Sequence, residues 1–334
     1  MLILAIESSC DETAAAVVED GRYLISSIVS SQIPYHEIYG GVVPEIASRK
    51  HIEVISSVTR LALKKAKIDI KDLNALAVTY SPGLVGSLLV GVNFIKGMSI
   101  ASKLPIIPVN HLKAHIAANY LVFKNLKPPF LGVVVSGGHT SIFHVKSYTD
   151  YSLVGNTLDD AMGETFDKVA RVLGISYPGG ANLDKIAECG DDSMYDFPIP
   201  KVEGKNFNLS YSGLKTSVIN LVNKMKMKDE IIKKEDIAAS FRKVAVKNLV
   251  EKIIKARNKL NLKNVVVAGG AASNLLLRRE LKKEILLNNF KLYIPNPNLC
   301  TDNAAMVGAQ GYFEFKSGNV ADLSLNANFR TEYN

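Results

Sequence analysis

Two histidines four residues apart, His111 and His115, follow Asn110, a residue suited to cap a helix N-terminus. At that spacing both imidazoles project from one face of the helix's first turns, which suits two ligands on one metal ion. Paired surface or core histidines give the same spacing, so the pair needs a third ligand before it defines a metal site. Asp302, in Thr301-Asp302-Asn303 ahead of a small-residue helix, is the candidate. It lies about 190 residues further along, and nothing in the spacing alone shows that it folds back onto the pair.

Three glycine- or serine-rich turns each end a strand pattern: Glu7 to Thr13, Ser136 to Thr140 and Gly269 to Asn274. Such turns bring backbone N–H groups close to a phosphate, because glycine has no Cβ to hold a ligand off. One turn alone is a common feature of α/β chains; three suit a nucleotide held between two lobes. None matches G-x-x-x-x-G-K-[ST] or a dinucleotide fingerprint, so Walker-type and Rossmann readings fall. Asp11 and Glu12 sit in the first turn, where a carboxylate could orient a metal-bound water or accept a proton from an amine, and where Asp11 could equally cap the turn. By pattern alone Asp167, Lys168 and Asp184 read as solvated charges.

The elements that must position these groups follow from the apolar periodicity. Leu2 to Ile6 and Ala14 to Val18 read as a strand pair around the first turn; Phe130 to Val135 and Ser141 to Val145 repeat the pattern about 130 residues later. Val265 to Val267 begins a third strand-and-turn unit that leads into a helix from Leu275 to Leu287. Helices are expected over residues 52–66, 84–101, 111–123, 159–173, 212–224, 235–260 and 303–315. Strands alternating with helices indicate an α/β chain of two similarly built lobes. Lys124 to Pro129 is the linker candidate, which gives lobes of 1–126 and 127–302, with the last helix, from about 303 to 334, able to return to the first. Tyr177 to Ser210, rich in Gly, Pro, Asp and Asn, reads as loops over a cleft.

Composition bounds the setting. The chain has 334 residues and 47% hydrophobic content, enough for two packed lobes without a mark of disorder. The richest apolar run, Leu84 to Ile95, is broken by glycines and stopped by Lys96, so no membrane span is expected. The start carries no cationic region and runs into Glu7, Asp11 and Glu12, so a cytoplasmic location is expected. Cys10, Cys189 and Cys300 are far apart, with no C-x-x-C spacing, and read as reduced thiols. The formal charge of +8 makes a polyanion such as nucleic acid a plausible partner. Its clearest basic stretch, Lys224, Lys226, Lys228, Lys233 and Lys234, reads either as solvated surface or as such a contact.

Five segments together, Ile6-Glu7-Ser8-Ser9-Cys10-Asp11-Glu12-Thr13, Gly40-Gly41-Val42-Val43-Pro44-Glu45, His111-Leu112-Lys113-Ala114-His115, Val135-Ser136-Gly137-Gly138-His139-Thr140 and Thr301-Asp302-Asn303-Ala304-Ala305-Met306, closely resemble the bacterial TsaD family. The resemblance runs in order from Leu2 to about Gly311. That family comprises the tRNA N6-adenosine threonylcarbamoyltransferases, formerly called glycoproteases. The resemblance implies a two-lobed, actin-like ATPase fold, the α/β fold of sugar kinases, heat-shock chaperones and actin, with nucleotide and metal in the cleft between lobes. It implies that His111, His115 and Asp302 bind one iron or zinc ion, and that Val134, Val135, Ser136, Gly137, Gly138, Asp167, Gly180, Asp184 and Asn274 hold an adenylate or ATP. Asp11 is the expected proton acceptor.

The implied reaction moves a threonylcarbamoyl group from its adenylate to N6 of the adenosine 3′ of the anticodon in tRNA, position 37, forming t6A and AMP. The implied partners are an inactive paralogue (TsaB), a small P-loop ATPase (TsaE) and an enzyme that supplies the adenylate (TsaC). Two rivals remain to be weighed. A metalloprotease needs Glu directly after the first histidine, as in H-E-x-x-H, and this chain has Leu112 there. A nucleotide-dependent binding or chaperone-like module of the same fold would not need a His-His-Asp metal site.

Overall fold

The structure is a computed structural model that describes residues 1–199, 202 and 207–330. The chain divides into two compact units: unit 1 comprises Met1–Pro128, Val145–Tyr151 and Pro295–Asn334, and unit 2 comprises Pro129–His144 and Ser152–Ile294. Asp302 therefore belongs to the same unit as His111 and His115, and does not reach them from a second lobe.

In unit 1, β1 (Leu2–Glu7), β2 (Glu12–Glu19) and β3 (Tyr23–Ser31) form antiparallel pairs, and β4 (Ala75–Ser81) and β5 (Ile106–Asn110) extend the sheet in parallel from β1. The order is β3-β2-β1-β4-β5. Helix α1 (Ile33–His36) is a single turn; α2 (Pro44–Ala66) and α3 (Val85–Ser102) cover one face of the sheet. Alternation along β1 decides which side chain meets which helix. Leu4 and Ile6 pack with Ile55 and Val58 of α2 and with Val92 and Ile95 of α3, whereas Ala5 points to the other face.

That other face is covered by α4 (His111–Val122) and α10 (Ala304–Lys316). Gly308 and Gly311 let α10 lie almost on the strands: a Cβ at Gly308 would stand 2.6 Å from Cγ2 of Val18, and one at Gly311 would stand 2.9 Å from Cβ of Ala77. Helix α3 matches the helix expected over 84–101, its glycines and Lys96 falling within it without interrupting it. By length and composition it could cross a membrane, but Leu88, Val92 and Ile95 are completely buried in unit 1.

Unit 2 repeats the strand order. β6 (Phe130–Val135), β7 (Thr140–Val145) and β8 (Tyr151–Asn156) lie on one side, and β9 (Asn264–Ala268) and β10 (Lys291–Tyr293) pair in parallel beyond β6, giving β10-β9-β6-β7-β8. Each sheet thus consists of three consecutive strands with two later parallel strands added beside the first, which bears out the repeated hairpin. The helices are α5 (Met162–Val172), α6 (Gly179–Ile186), α7 (Ser212–Met227), α8 (Lys234–Leu260) and α9 (Leu275–Asn288). Helix α6 corrects the reading of Tyr177 to Ser210 as loop throughout. Its two opening glycines hide a short helix that buries Leu183 and Asp184.

Candidate functional site

Helix α4 starts where β5 ends, and the Asn110 side chain accepts hydrogen bonds from the N–H groups of Leu112 and Lys113, as expected of a cap. This fixes the first turn and puts His111 and His115 one above the other on one face. The cap of α10 does the equivalent for the acid: Asn303 accepts from Met306 N–H, and Asp302 precedes it. Because the glycines of α10 bring that helix onto the sheet beside α4, the two helix starts meet.

The outcome is a compact donor set. Nε2 of His111 and Nε2 of His115 lie 3.1 Å apart, and Oδ1 of Asp302 is 3.2 Å from His115 Nε2 and 3.6 Å from His111 Nε2. Ligand atoms about 2.0–2.2 Å from one tetrahedral ion stand about 3.4 Å from each other, so the separations fit a single ion and the donor types suit iron or zinc. Among the described residues these three form the one group of His, Cys, Asp or Glu spaced so that it could hold a metal ion. His115 is fully buried, and its Nδ1 has no hydrogen-bond partner among the described residues.

Behind the set stands Glu7 of β1, with no exposed surface. Nδ1–H of His111 donates to its Oε2 at 3.2 Å; Thr79 Oγ1 donates to the same oxygen at 2.7 Å, and Ser9 N–H to Oε1 at 2.6 Å. The contact turns Nε2 of His111 toward His115 and Asp302. Burial opposes a proton on His111, but the charges of Asp302 and Glu7 outweigh it and raise the imidazole to about 9. The carboxylates that hold this proton would equally hold the charge of an ion in its place. His115 is pushed the other way by burial and by its charged neighbour His111.

Asp11 and Glu12 lie in the β1–β2 turn of the same unit, Asp11 buried. Burial, with the charges of Asp11 and Asp302, raises Glu12 to about 10. Leu112, where a protease would carry its glutamate, is a core residue with 2% of its surface exposed. A separate cavity of about 960 Å³ runs between α2 and α3, but its lining contains none of these residues.

The residues that the resemblance places at the adenylate all fall in unit 2, whereas the first of the three turns, Glu7 to Thr13, lies in unit 1. Val134 and Val135 end β6 and are buried; Ser136 N–H bonds to the carbonyl of His139, closing the turn. Gly137 and Gly138 are exposed, and a Cβ at either would meet nothing within 4 Å, so the tip of this turn is open. Two close approaches build the ground beneath that turn. A Cβ on Gly163 would stand 2.5 Å from the Ser136 carbonyl, and one on Gly269, at φ +94°, would stand 2.4 Å from that of Val135. Gly269 opens the third turn that the sequence singles out, whereas Gly163 lies inside a helical pattern and gives no such signal.

Asp167 accepts from Gly180 N–H at 2.7 Å. Asp184 is buried rather than solvated: Oδ1 accepts from Asn274 Nδ2 at 2.7 Å and Arg242 Nη1 at 2.8 Å, and Oδ2 accepts from Leu275 N–H at 2.9 Å. Arg242, the cation at the centre of this group, had no signal in the sequence beyond its place in a helical pattern.

The fold and this site define a class: an α/β chain of the actin-like ATPase fold with a His-His-Asp group in its first unit whose donor atoms are spaced to hold one metal ion. Among solved structures, HypF from T. kodakarensis superposes with a TM-score of 0.66 at 16% identity, over 97% of this chain and 49% of that one. That likeness concerns the fold alone. The family profile described as TsaD, tRNA N6-adenosine threonylcarbamoyltransferase, matches residues 23–309. The tRNA N6-adenosine threonylcarbamoyltransferase of Caldicellulosiruptor saccharolyticus is 52% identical over 98% of this chain and 97% of its own. That of Clostridium beijerinckii is 51% identical over 98% and 96%. The chain belongs to the tRNA N6-adenosine threonylcarbamoyltransferase family.

Proposed function

We propose that this chain transfers a threonylcarbamoyl group from threonylcarbamoyl-adenylate to N6 of the adenosine 3′ of the anticodon in tRNA, position 37, yielding t6A and AMP. The observation that carries the reading is the His111-His115-Asp302 set in a chain about half identical to named enzymes of this activity along nearly its whole length. An iron or zinc ion held there would supply Lewis-acid polarisation of the group being transferred. In unit 2, the open turn tip at Gly137 and Gly138 would hold the phosphate of the adenylate through its backbone amides, while Asp167, Gly180, Asp184 and Asn274 would shape the rest of the nucleotide site.

An exocyclic amine must lose a proton as it attacks, and Asp11 is our choice of acceptor. The target base lies in a loop and is already unpaired, so it enters a pocket at little unstacking cost. We place the reaction in the cytoplasm, with a TsaB-like paralogue, a TsaE-like ATPase and a TsaC-like source of adenylate as partners. The protein is incubated with these proteins, unmodified tRNA, threonine, bicarbonate and ATP, and the nucleosides are analysed by mass spectrometry. The reading requires t6A in the digest; its absence while a relative processed in parallel forms it overturns the reading.

A further inference from the structure

Charge is distributed unevenly between the two units. Unit 2 holds 24 of the 40 Lys and Arg and 17 of the 32 Asp and Glu, a net of +7, whereas unit 1 is at +1. Within unit 2 the excess gathers on α8. From Lys243 to Lys259 the exposed positions of this helix are Lys243, Lys247, Glu251, Lys255, Asn258 and Lys259, which share one arc at 3.6 residues per turn. One acid stands among four lysines. Lys243 pairs with Asp192 at 2.8 Å and Lys255 with Glu251 at 3.6 Å, and among the described residues Lys247 and Lys259 have no carboxylate within ion-pair distance.

Lysines four apart on a helix repel, so a face selected only for contact with water has reason to interleave acids. Helix α9 does so: Lys283 is bonded to Glu280 at 2.6 Å. The α8 arc compensates its charge only in part: over about 24 Å of helix, at about 1.5 Å per residue, Lys243 and Lys255 are paired while Lys247 and Lys259 have no such partner among the described residues. None of the arc's own side chains is aromatic, and the Phe207 ring beside its end is taken up by Lys259, whose Nζ stands 5.7 Å from the ring centroid. Cations without stacking groups read phosphates and not bases. Helix α7, packed against α8, brings Lys224, Lys226 and Lys228, all exposed, at its end.

We propose that the solvent face of α8 docks the phosphate backbone of a duplex arm of the tRNA, away from the base that is modified. The inference rests on the reading of tRNA as substrate and adds the surface that holds its body. In the test, labelled full-length tRNA and an isolated anticodon stem-loop are each titrated by fluorescence anisotropy at several salt concentrations, against the wild type and against Lys247→Glu/Lys255→Glu/Lys259→Glu. Full-length tRNA is expected to bind the variant at least tenfold more weakly, and its log-log salt slope is expected to be shallower by about two. The stem-loop should bind both proteins alike.

Thermal melting checks the fold, and Lys247→Gln/Lys255→Gln/Lys259→Gln, which removes charge without reversing it, should give a smaller loss of the same kind. Unchanged affinity and slope for full-length tRNA in either folded variant overturns the proposal. So does a loss confined to vesicles of phosphatidylserine, which would make the face a membrane contact. Formation of t6A by the wild type is measured separately, so failure of the α8 surface and failure of the functional reading give different results.

Discussion

Oε2 of Glu7 stands 3.2 Å from Nδ1 of His111, and the glutamate that makes this contact is wholly buried at the end of the first strand. A carboxylate behind a metal-facing imidazole fixes the ring's orientation and tautomer and strengthens its donor nitrogen. Glu7→Gln keeps the shape but removes the charge and permits the amide to turn its NH₂ toward Nδ1. Metal affinity is expected to fall about 10- to 100-fold with the fold intact. A competition titration with a chromophoric chelator reads this directly, and an unchanged dissociation constant would leave Glu7 a packing residue.

The ligands themselves should show a larger effect. His115→Ala leaves two protein donors and Asp302→Ala leaves two imidazoles, too few to retain a divalent ion tightly. Each variant should lose bound metal by elemental analysis and lose t6A formation, while binding of nucleotide at the residues proposed for it, all in unit 2, should persist. Leu112→Glu should not create a peptidase: Leu112 is in the core, so a carboxylate there is expected to destabilise the helix rather than meet a substrate. Hydrolysis of a casein substrate by that variant would contradict this.

Periodicity and turn chemistry reach far into this structure, but unevenly. The hairpin of β1 and β2, its repeat in β6 and β7, and the helices at 111 and 304 have local signals: continuous apolar runs, an Asn cap and glycines where strands end. Strands β4 and β5 were not distinguished, because a short apolar run buried on both faces has no alternation to separate it from helix. The metal ligands could be named because two of them share a helix turn. That Asp302 would come from their own unit could not be, since this depends on α10 lying flat on the strands through Gly308 and Gly311. Glu7 could be placed at the head of the first turn but not behind His111, which is 104 residues further on, and Arg242 gave no signal because its partner Asp184 is 58 residues away.

His51 of α2 gives a stability that depends on pH. It is fully buried and neutral: Nε2–H donates to the Cys10 carbonyl at 2.9 Å, and Nδ1 accepts from Thr13 Oγ1 at 2.7 Å. Burial lowers its pKa below the ordinary value, with the Cys10 carbonyl and the charges of Glu7 and Asp11 opposing and His36 adding to the depression. The unfolded chain therefore binds the proton more readily. Stability from this group is complete above the unfolded value, about 6.5, and falls as pH drops from there toward the folded value, by at most about 1.4 kcal/mol per pH unit. Urea midpoints at pH 7.5, 6.5 and 5.5 should decline in the wild type, and the decline should be shallower in His51→Asn.

Gly308 tests how closely α10 must lie on the sheet. In Gly308→Val the new Cβ would begin 2.6 Å from Val18 Cγ2 and 3.3 Å from Ala5 Cβ, with buried strands on that side. The helix must lift, and overpacking of this kind destabilises by about 1–3 kcal/mol. Because Asp302 sits at the head of the same helix, metal affinity should fall together with the urea midpoint, although residue 308 touches no ligand. A variant that is destabilised but binds metal as the wild type would show that Asp302 is held by its own loop.

Arg242 and Arg279 both reach Glu188, Arg242 Nη1 at 2.6 Å and Arg279 Nη1 at 2.8 Å, but from different environments. The Arg242 side chain is 5% exposed and also bonds Asp184, whereas that of Arg279 is 52% exposed. Removing one partner of a buried pair leaves an uncompensated charge, which costs about 3–5 kcal/mol, while a surface pair contributes about 0–1 kcal/mol. Arg242→Gln is therefore expected to lower the unfolding free energy by several kcal/mol and Arg279→Gln by less than about one. Asp184 in turn holds Asn274 and the first N–H of α9, so the loss at Arg242 should also raise the apparent KM for the adenylate more than it lowers kcat. Arg242→Lys, which keeps the charge but not the fork, should restore part of the stability and less of the KM. Equal stability losses in the two glutamine variants would mean that Asp184 is satisfied by Asn274 and Leu275 alone, and that Arg242 has no part in placing the turn.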